Sequence, residues 1–294
     1  MTFQHSSAVS VVGLGPMGAA LAETFLGKGI SVTVWNRTPG KADTLVAKGA
    51  HLAATVDEAM AASPFTIACI NDYPTMYRVL DGAQGGLRGR TLVNLNSGTP
   101  SEARAMADWA AEQGLDYLDG AIMVPPTLVG GPGSVFLYSG PQDLFARHRA
   151  TLAELGDPRF LGADPGLAVL YNTALLHFMY AHMNGFLHAA AMVGSAGVPA
   201  AEFAELALGW FAPVVLDPAG LASQAPSLDD GAYPGELGTM VMNLNALEHI
   251  ARASAEQGVN TAWPTLMQEL AERVIAQGHG EDNYFSMFEA FKRP

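Results

Sequence analysis

A short glycine pattern sets the tightest limit on what this chain can fold into. In VVGLGPMGAALAETF, residues 11–25, Gly13, Gly15 and Gly18 make GxGxxG between a β-branched run and an alanine- and leucine-rich amphipathic run. That spacing serves a strand that turns sharply into a helix. The first glycine permits the turn, the second lets a pyrophosphate approach the backbone, and the third lets helix and strand pack closely. The helix N-terminus adds free N–H groups and the positive end of its dipole. The segment Gly13–Gly18, with Leu14, Pro16 and Met17 among the glycines, is expected to bind a dinucleotide.

The rest of the chain has two textures. From residue 7 to about 160, the β-rich runs AVSVVG, SVTVWN, FTIACIN, RTLVNLN, YLDGAIMV and SVFLYSG alternate with amphipathic stretches such as SEARAMADWAAEQG. Alternation of this kind predicts βαβ units on a largely parallel sheet. After GADPG, residues 162–166, the strands stop, and helices are expected to start near Asp164, Pro199, Gly238 and Pro264, with 222–236 (ASQAPSLDDGAYPGE) as a loop. The expected architecture is α/β: a Rossmann domain over 1–162, then an interdomain helix and an all-helical domain over 163–294.

Composition removes several function classes. With 49% hydrophobic and 15% charged residues, the 294-residue chain has the makings of a large core. A net charge of −13 repels nucleic acid and anionic membrane surfaces, so neither is an expected partner. The one cysteine, Cys69, allows no intrachain disulfide; with no signal-like N-terminus and no apolar run of about 18 residues, a cytoplasmic location is expected. His177, His182 and His188 do not share a helix face and no HExxH is present, so no metal site is expected. Ser195 lacks the glycine two residues before it that a hydrolase elbow needs.

The end of the second strand decides the cofactor. A site for NAD usually offers an acid there to the ribose 2′-hydroxyl. This chain offers Asn36, Arg37 and Thr38, with Lys41 one turn later. Arg37 and Lys41 can meet a 2′-phosphate that an acid would repel, and Thr38 can donate to it. The expected cofactor is NADPH.

Taken together, VGLGPMG, VWNRTPGK, LVNLNSGTP and GADPG before a long apolar helix resemble the imine reductases, a branch of the β-hydroxyacid dehydrogenase superfamily, over both halves of the chain. The resemblance implies a Rossmann domain and a helical C-terminal domain of the 6-phosphogluconate dehydrogenase type. It further implies an intertwined homodimer whose active sites are shared between subunits.

The same resemblance gives meaning to residues 164–185, DPGLAVLYNTALLHFMYAHMNG. In the hydroxyacid dehydrogenases this helix begins with a pattern like GxGxxxKxxNN, whose lysine handles the alcohol's proton and steadies the oxyanion. Leu170 falls at that position, and no lysine occurs in the helix. Carbonyl reduction would lack its acid. An iminium ion is already cationic, and a neighbouring ammonium would oppose it, so the loss favours C=N over C=O reduction. Asn172 and Tyr180 are the polar groups left, with Leu176 midway, along about 12 Å of one drifting helix face. Family members carry Asp or Tyr where this chain has Asn172, and many carry Tyr at the position of Tyr180. An amide is no general acid, so Asn172 orients the imine, whereas a tyrosine with a pKa near about 10 can donate a proton. Either the imine arrives protonated or Tyr180 supplies the proton; plain packing roles for both are the alternative.

Further candidates lie at strand ends, the ligand side of an α/β sheet. Asn94, Asn96, Ser97 and Thr99 are candidates to touch the ribose, the nicotinamide or the substrate; matching to the family brings Asn96 and Ser97 nearest the nicotinamide and Ile70 and Asn71 to the ribose or ring. Thr99 reads as a helix cap with Glu102. Ile122 and Met123 fall where the superfamily lines its substrate pocket, followed by Val124, Pro125 and Pro126 in place of the carboxylate-binding serine and glycines. Leu176 joins that wall, and Trp210, Phe211, Met240 and Met242 are expected from the other subunit. The expected enzyme is an NADPH-dependent reductase of cyclic imines and iminium ions. The alternatives are a β-hydroxyacid dehydrogenase with altered machinery and a noncatalytic NADP(H)-binding protein.

Overall fold

The β-branched run Ala8–Val12 forms β1, and Pro16–Gly27 forms α1 directly after the glycine turn. The computed structural model describes residues 8–292 apart from 84, 86 and 216. There follow β2 (Ser31–Trp35), α2 (Asp43–Ala47), β3 (His51–Leu52), α3 (Val56–Ala62), β4 (Phe65–Ala68), α4 (Tyr73–Leu80) and β5 (Thr91–Asn94). After these come α5 (Pro100–Glu112), β6 (Asp116–Ile122), β7 (Val135–Ser139), α6 (Gln142–Ala153) and β8 (Asp157–Gly162). Among the described residues the strands make one eight-stranded sheet in the order β3-β2-β1-β4-β5-β6-β7-β8. Strands β1 to β6 are parallel, β7 runs antiparallel to β6, and β8 is parallel to β7.

This is a Rossmann fold, and the strand order reverses between β1 and β4, where such sheets open a crevice for ligands. All six strands expected from sequence form. The other two, β3 and β8, gave little signal, because β3 has two residues and β8 opens on Asp-Pro. Burial of both sheet faces explains the unbroken apolar runs. One face packs Leu21 and Phe25 of α1 against Val9, Val11 and Val34. The other packs Met60, Met76 and Met106 against Val12, Ala68 and Leu92. Each large side chain hidden in this way contributes about 1.5–3 kcal/mol before the entropy of ordering it is subtracted.

A 29-residue helix, α7 (Gly166–Gly194), follows β8. Its start is fixed by polar contacts. Arg104 of α5 donates Nε and Nη2 to the two Asp164 carboxylate oxygens at 2.8 and 2.7 Å, and Asp164 accepts the Gly166 N–H at 2.9 Å. Ser139 Oγ donates to the Pro165 carbonyl and accepts the Ala168 N–H. Ala168 also packs with Ala121 and Leu137. The chain accordingly divides into compact units between Phe178 and Met179, inside α7, whereas the boundary expected from sequence lay at 162/163.

The second unit contains α8 (Ala200–Leu206), a π-turn (Ala207–Phe211), α9 (Ala212–Val215), α10 (Pro218–Ser223), α11 (Ala225–Asp230), α12 (Met240–Glu256), α13 (Ala262–Val274) and α14 (Phe288–Phe291). Two expectations are corrected here. Residues 222–236 are not a loop throughout, because the end of α10 and all of α11 occupy 222–230, with proline in the first turn of each helix, where its missing N–H costs nothing. Met240 is no exposed wall: it has no accessible surface and packs with Ala271, Val274 and Met287 in the core of this unit.

Candidate active site

The glycine turn has room only where a ligand would need it. A Cβ on Gly13, which sits at φ +94°, would run into the Cys69 carbonyl, and one on Gly18 into the Gly13 carbonyl. A Cβ on Gly15 would meet nothing within 4 Å, so this backbone faces open space at the start of α1. Pro16 and Met17 occupy the first turn of α1, whose leading N–H groups have no partner within the helix. Leu14 contributes its side chain to the core and its N–H to Asn36. These features fit the pyrophosphate of a dinucleotide.

Asn36 has a different place from the one expected. Its Oδ1 accepts the Leu14 N–H at 2.9 Å and its Nδ2 donates to the Thr38 carbonyl at 3.0 Å. Both ends of the amide are thus engaged in bracing two turns. Arg37, Thr38 and Lys41 are exposed beside it, and neither cation has an ion-pair partner among the described residues. Two free cations on a turn next to the dinucleotide crevice suit a phosphate monoester.

A cavity of about 300 Å³ opens at the C-terminal ends of the strands in the first unit. Met17 reaches it from α1, Cys69 and Ile70 from the end of β4, and Leu95, Asn96 and Ser97 from the end of β5. Ala121 and Ile122 of β6 and Asn172 and Leu176 of α7 complete the lining. No charged side chain is among them. Asn96, 3% exposed, accepts the Ile70 N–H through Oδ1 at 2.6 Å, and its Nδ2 is buried with no partner. An unpaired buried donor costs about 1–3 kcal/mol, so it fits a carbonyl, hydroxyl or imine acceptor brought by a ligand. Burial pushes the Cys69 thiol up to about 11, which keeps it protonated and inert.

Of the residues singled out from sequence, Met17, Ile70, Asn96, Ser97, Ile122, Asn172 and Leu176 line this one cavity. Asn71 is exposed outside the cavity, and Met123 packs against the cluster of Ala121, Leu137 and Ala168. Cys69, Leu95 and Ala121 line the cavity without having been singled out for it, although each adjoins a residue that was. Tyr180 lies one turn beyond Leu176 on α7, in the second unit, and is exposed. Trp210 and Met242, also in that unit, are exposed as well. Leu170, at the position where the hydroxyacid dehydrogenases hold their lysine, is exposed and apolar.

Next to the cavity lies a cluster of which sequence reasoning singled out only Asn94, and that as a ligand contact; Asn94 is instead fully buried and bonded within the protein. Asp119, fully buried on β6, receives hydrogen bonds on Oδ2 from Tyr117 at 2.5 Å, Tyr73 at 2.7 Å and Asn94 Nδ2 at 3.2 Å. Burial pushes this carboxyl up to about 7 against the pull of those donors. Burial, with the Asp119 charge, also raises both tyrosines.

Comparison with known proteins covers residues 8–293. Residues 8–163 match the NAD binding domain of 6-phosphogluconate dehydrogenase, and residues 164–293 match the NADPH-dependent reductive aminase-like C-terminal domain. An NADPH-dependent reductive aminase from Aspergillus oryzae is 38% identical over 289 residues, 98% of either chain. An imine reductase from Bacillus cereus BAG3X2 superposes with a TM-score of 0.89 at 39% identity, over 98% of this chain and 99% of that one. An imine reductase from Aspergillus terreus, solved with NADPH4 and dibenz[c,e]azepine, gives 0.90 at 40% identity over 97% and 99%.

Proposed function

The chain belongs to the family of NADPH-dependent reductive aminases and imine reductases, and from that premise we propose how its own residues serve the reduction of a cyclic C=N bond to an amine. The turn Gly13–Gly18 and the start of α1 hold the pyrophosphate, and Arg37 and Lys41 hold the 2′-phosphate, with Thr38 beside them. NADPH, when bound, supplies the hydride. Asn96 Nδ2 and Ser97 hold the nicotinamide side of the site, and Ile70 packs under it.

Asn172 accepts or donates a hydrogen bond at the imine nitrogen and keeps the carbon turned toward the cofactor. It carries no proton that it can transfer at neutral pH. Tyr180 is the proton donor when the imine arrives neutral, and an iminium ion needs none. Leu176, Ile122 and the side chains around them exclude water from the reacting carbon. The observation that carries this reading is the neutral cavity lining: nothing cationic on α7 opposes an iminium ion, and no ammonium is there to serve a carbonyl.

The helices carry much uncovered apolar surface. Phe178 and Leu187 of α7 are more than 60% exposed, and Trp210 and Val214 are nearly as open or more so. Residues 200–223 are even long and apolar enough, by length and composition, to cross a membrane. A second copy of the chain accounts for that surface better, because monomers rarely leave patches of this size open. In this homodimer, Trp210 and Met242 of the partner subunit wall off the imine. A single, partly buried cysteine and a net charge of −13 suit the cytoplasm.

The test is NADPH consumption with 2-methyl-1-pyrroline and, separately, with a small 3-oxo acid. Consumption with the imine alone, giving 2-methylpyrrolidine, is expected; consumption with the oxo acid alone would restore the hydroxyacid reading, and none with either the noncatalytic binder. Light scattering should give about twice the 30.8 kDa chain mass.

A further inference from the structure

Four polar side chains are buried under the cavity, and the chemistry above uses none of them. Asp119, Asn94, Tyr73 and Tyr117 are each at most 4% exposed, at positions where apolar residues would pack without desolvation cost. Their contacts have a direction. Asn94 and Asp119 are paired neighbours across β5 and β6. Asn94 Nδ2 faces the Asp119 carboxylate, which turns Asn94 Oδ1 to the Asn96 N–H at 3.3 Å. Were the Asn94 amide reversed, its oxygen would face a carboxylate and its NH2 group a backbone N–H, so both contacts would become repulsive. Asn96 in turn spends Oδ1 on the Ile70 N–H, and its Nδ2 is buried with no partner in a residue that lines the cavity. A second route ends at the same loop. Tyr73, held by Asp119, lies flush against Gly98, where a Cβ would collide with the ring.

We infer that Asp119 is a positioning residue: by fixing the polarity of the Asn94 amide and the seat of Tyr73, it sets the loop Asn96–Gly98 and with it the place of the Asn96 side chain in the cavity wall. Asp119 does not line the cavity and acts only through that loop. Its own Oδ1 has no partner, so the carboxylate is committed to the three donors on Oδ2. The inference rests on the reading of this cavity as the imine and nicotinamide site.

The experiment is a cycle in the 294-residue enzyme with Asp119→Leu, Asp119→Asn, Asn96→Ala, and Asp119→Leu combined with Asn96→Ala. Turnover at saturating NADPH, the NADPH dissociation constant from cofactor fluorescence, and the melting temperature are measured for each. Asp119→Leu, which removes the acceptor shared by all three donors, should lower kcat on the order of tenfold or more, as expected when a side chain of the site is displaced by a fraction of an ångström. Asp119→Asn, whose amide oxygen can take the place of Oδ2 with its NH2 group in the unpartnered Oδ1 position, should recover most of the loss. In the Asn96→Ala background, Asp119→Leu should cost little more, since the side chain it positions is gone.

Independent, multiplicative losses in that background would overturn the proposal, as would a properly folded Asp119→Leu enzyme with unchanged kcat. Should Asp119→Leu fail to fold, Tyr73→Phe keeps the carboxylate, removes one donor, and must show the same lack of additivity with Asn96→Ala. An unsubstituted chain that consumes no NADPH with any imine would fail the functional reading instead. The same cycle is then read on the NADPH dissociation constant, where additivity again overturns the proposal.

Discussion

The Leu14 N–H donates to Asn36 Oδ1 at 2.9 Å across 22 residues of sequence, while Asn36 Nδ2 holds the Thr38 carbonyl. One amide therefore braces the glycine turn against the turn that carries Arg37. Asn36→Ala leaves the buried Leu14 without its backbone partner, at a cost of about 1–3 kcal/mol. Fluorescence titration should show NADPH and NADH weakened by similar factors, about tenfold, because the pyrophosphate turn serves both. A loss confined to NADPH would instead make Asn36 a ligand of the 2′-phosphate.

Arg37→Asp should separate the two cofactors. Replacing a free guanidinium with a carboxylate turns attraction for the 2′-phosphate into repulsion and leaves the unphosphorylated ribose nearly untouched. The Michaelis constant for NADPH should rise at least about tenfold, and that for NADH by much less. Equal changes would remove Arg37 from the phosphate site.

Tyr180→Phe bears on the proton. If the hydroxyl protonates a neutral imine, its removal should depress turnover increasingly as pH rises past the iminium pKa, and little below it. A pH–rate profile that merely scales down would leave Tyr180 with a packing role alone.

Stability should report on Asp119. Burial pushes its carboxyl up to about 7, while an unfolded aspartate titrates near about 3.9. Between those values the folded chain keeps a proton that the unfolded chain has released, so this group's contribution is whole below about pH 4 and is lost as pH rises toward 7. Tyr73, Tyr117, Asn94 and the nearby Glu102 are common to Asp119→Asn. The melting temperature of the parent relative to Asp119→Asn should therefore fall from pH 4 to pH 7 and level off above. A difference constant over that range would mean that the carboxyl titrates as in the unfolded chain.

Cys69 supplies a chemical probe of the cavity. With its thiol held up at about 11, alkylation by iodoacetamide at pH 8 should run about 100-fold slower than for a free cysteine. Bound NADPH should slow it further, since Cys69 lines the cavity beside Ile70. A rate indifferent to NADPH would separate the thiol from the cofactor.

The sequence by itself determined what depends on local spacing. GxGxxG between a strand and a helix dictates the turn at Gly13 and the open backbone at Gly15, because only glycine tolerates both. Periodicity gave six of the eight strands of the described residues, and the lysine-free start of α7 favoured C=N reduction, since both are read along one segment. What only tertiary structure decided depends on residues far apart in the chain. Asn36 is a brace because Leu14 comes to meet it. Asp119 holds Tyr73 across 46 residues, a pairing that no local pattern announces. Met240 is apolar enough for either a substrate wall or a core, and Ala271 and Val274 closing over it make it core. Residues 222–230 are helical although their composition resembles a loop, because Pro218 and Pro226 sit in first turns that tolerate them. A side chain's identity limits the bonds it can make, but which of them it makes is set by the groups that the fold brings within reach of it.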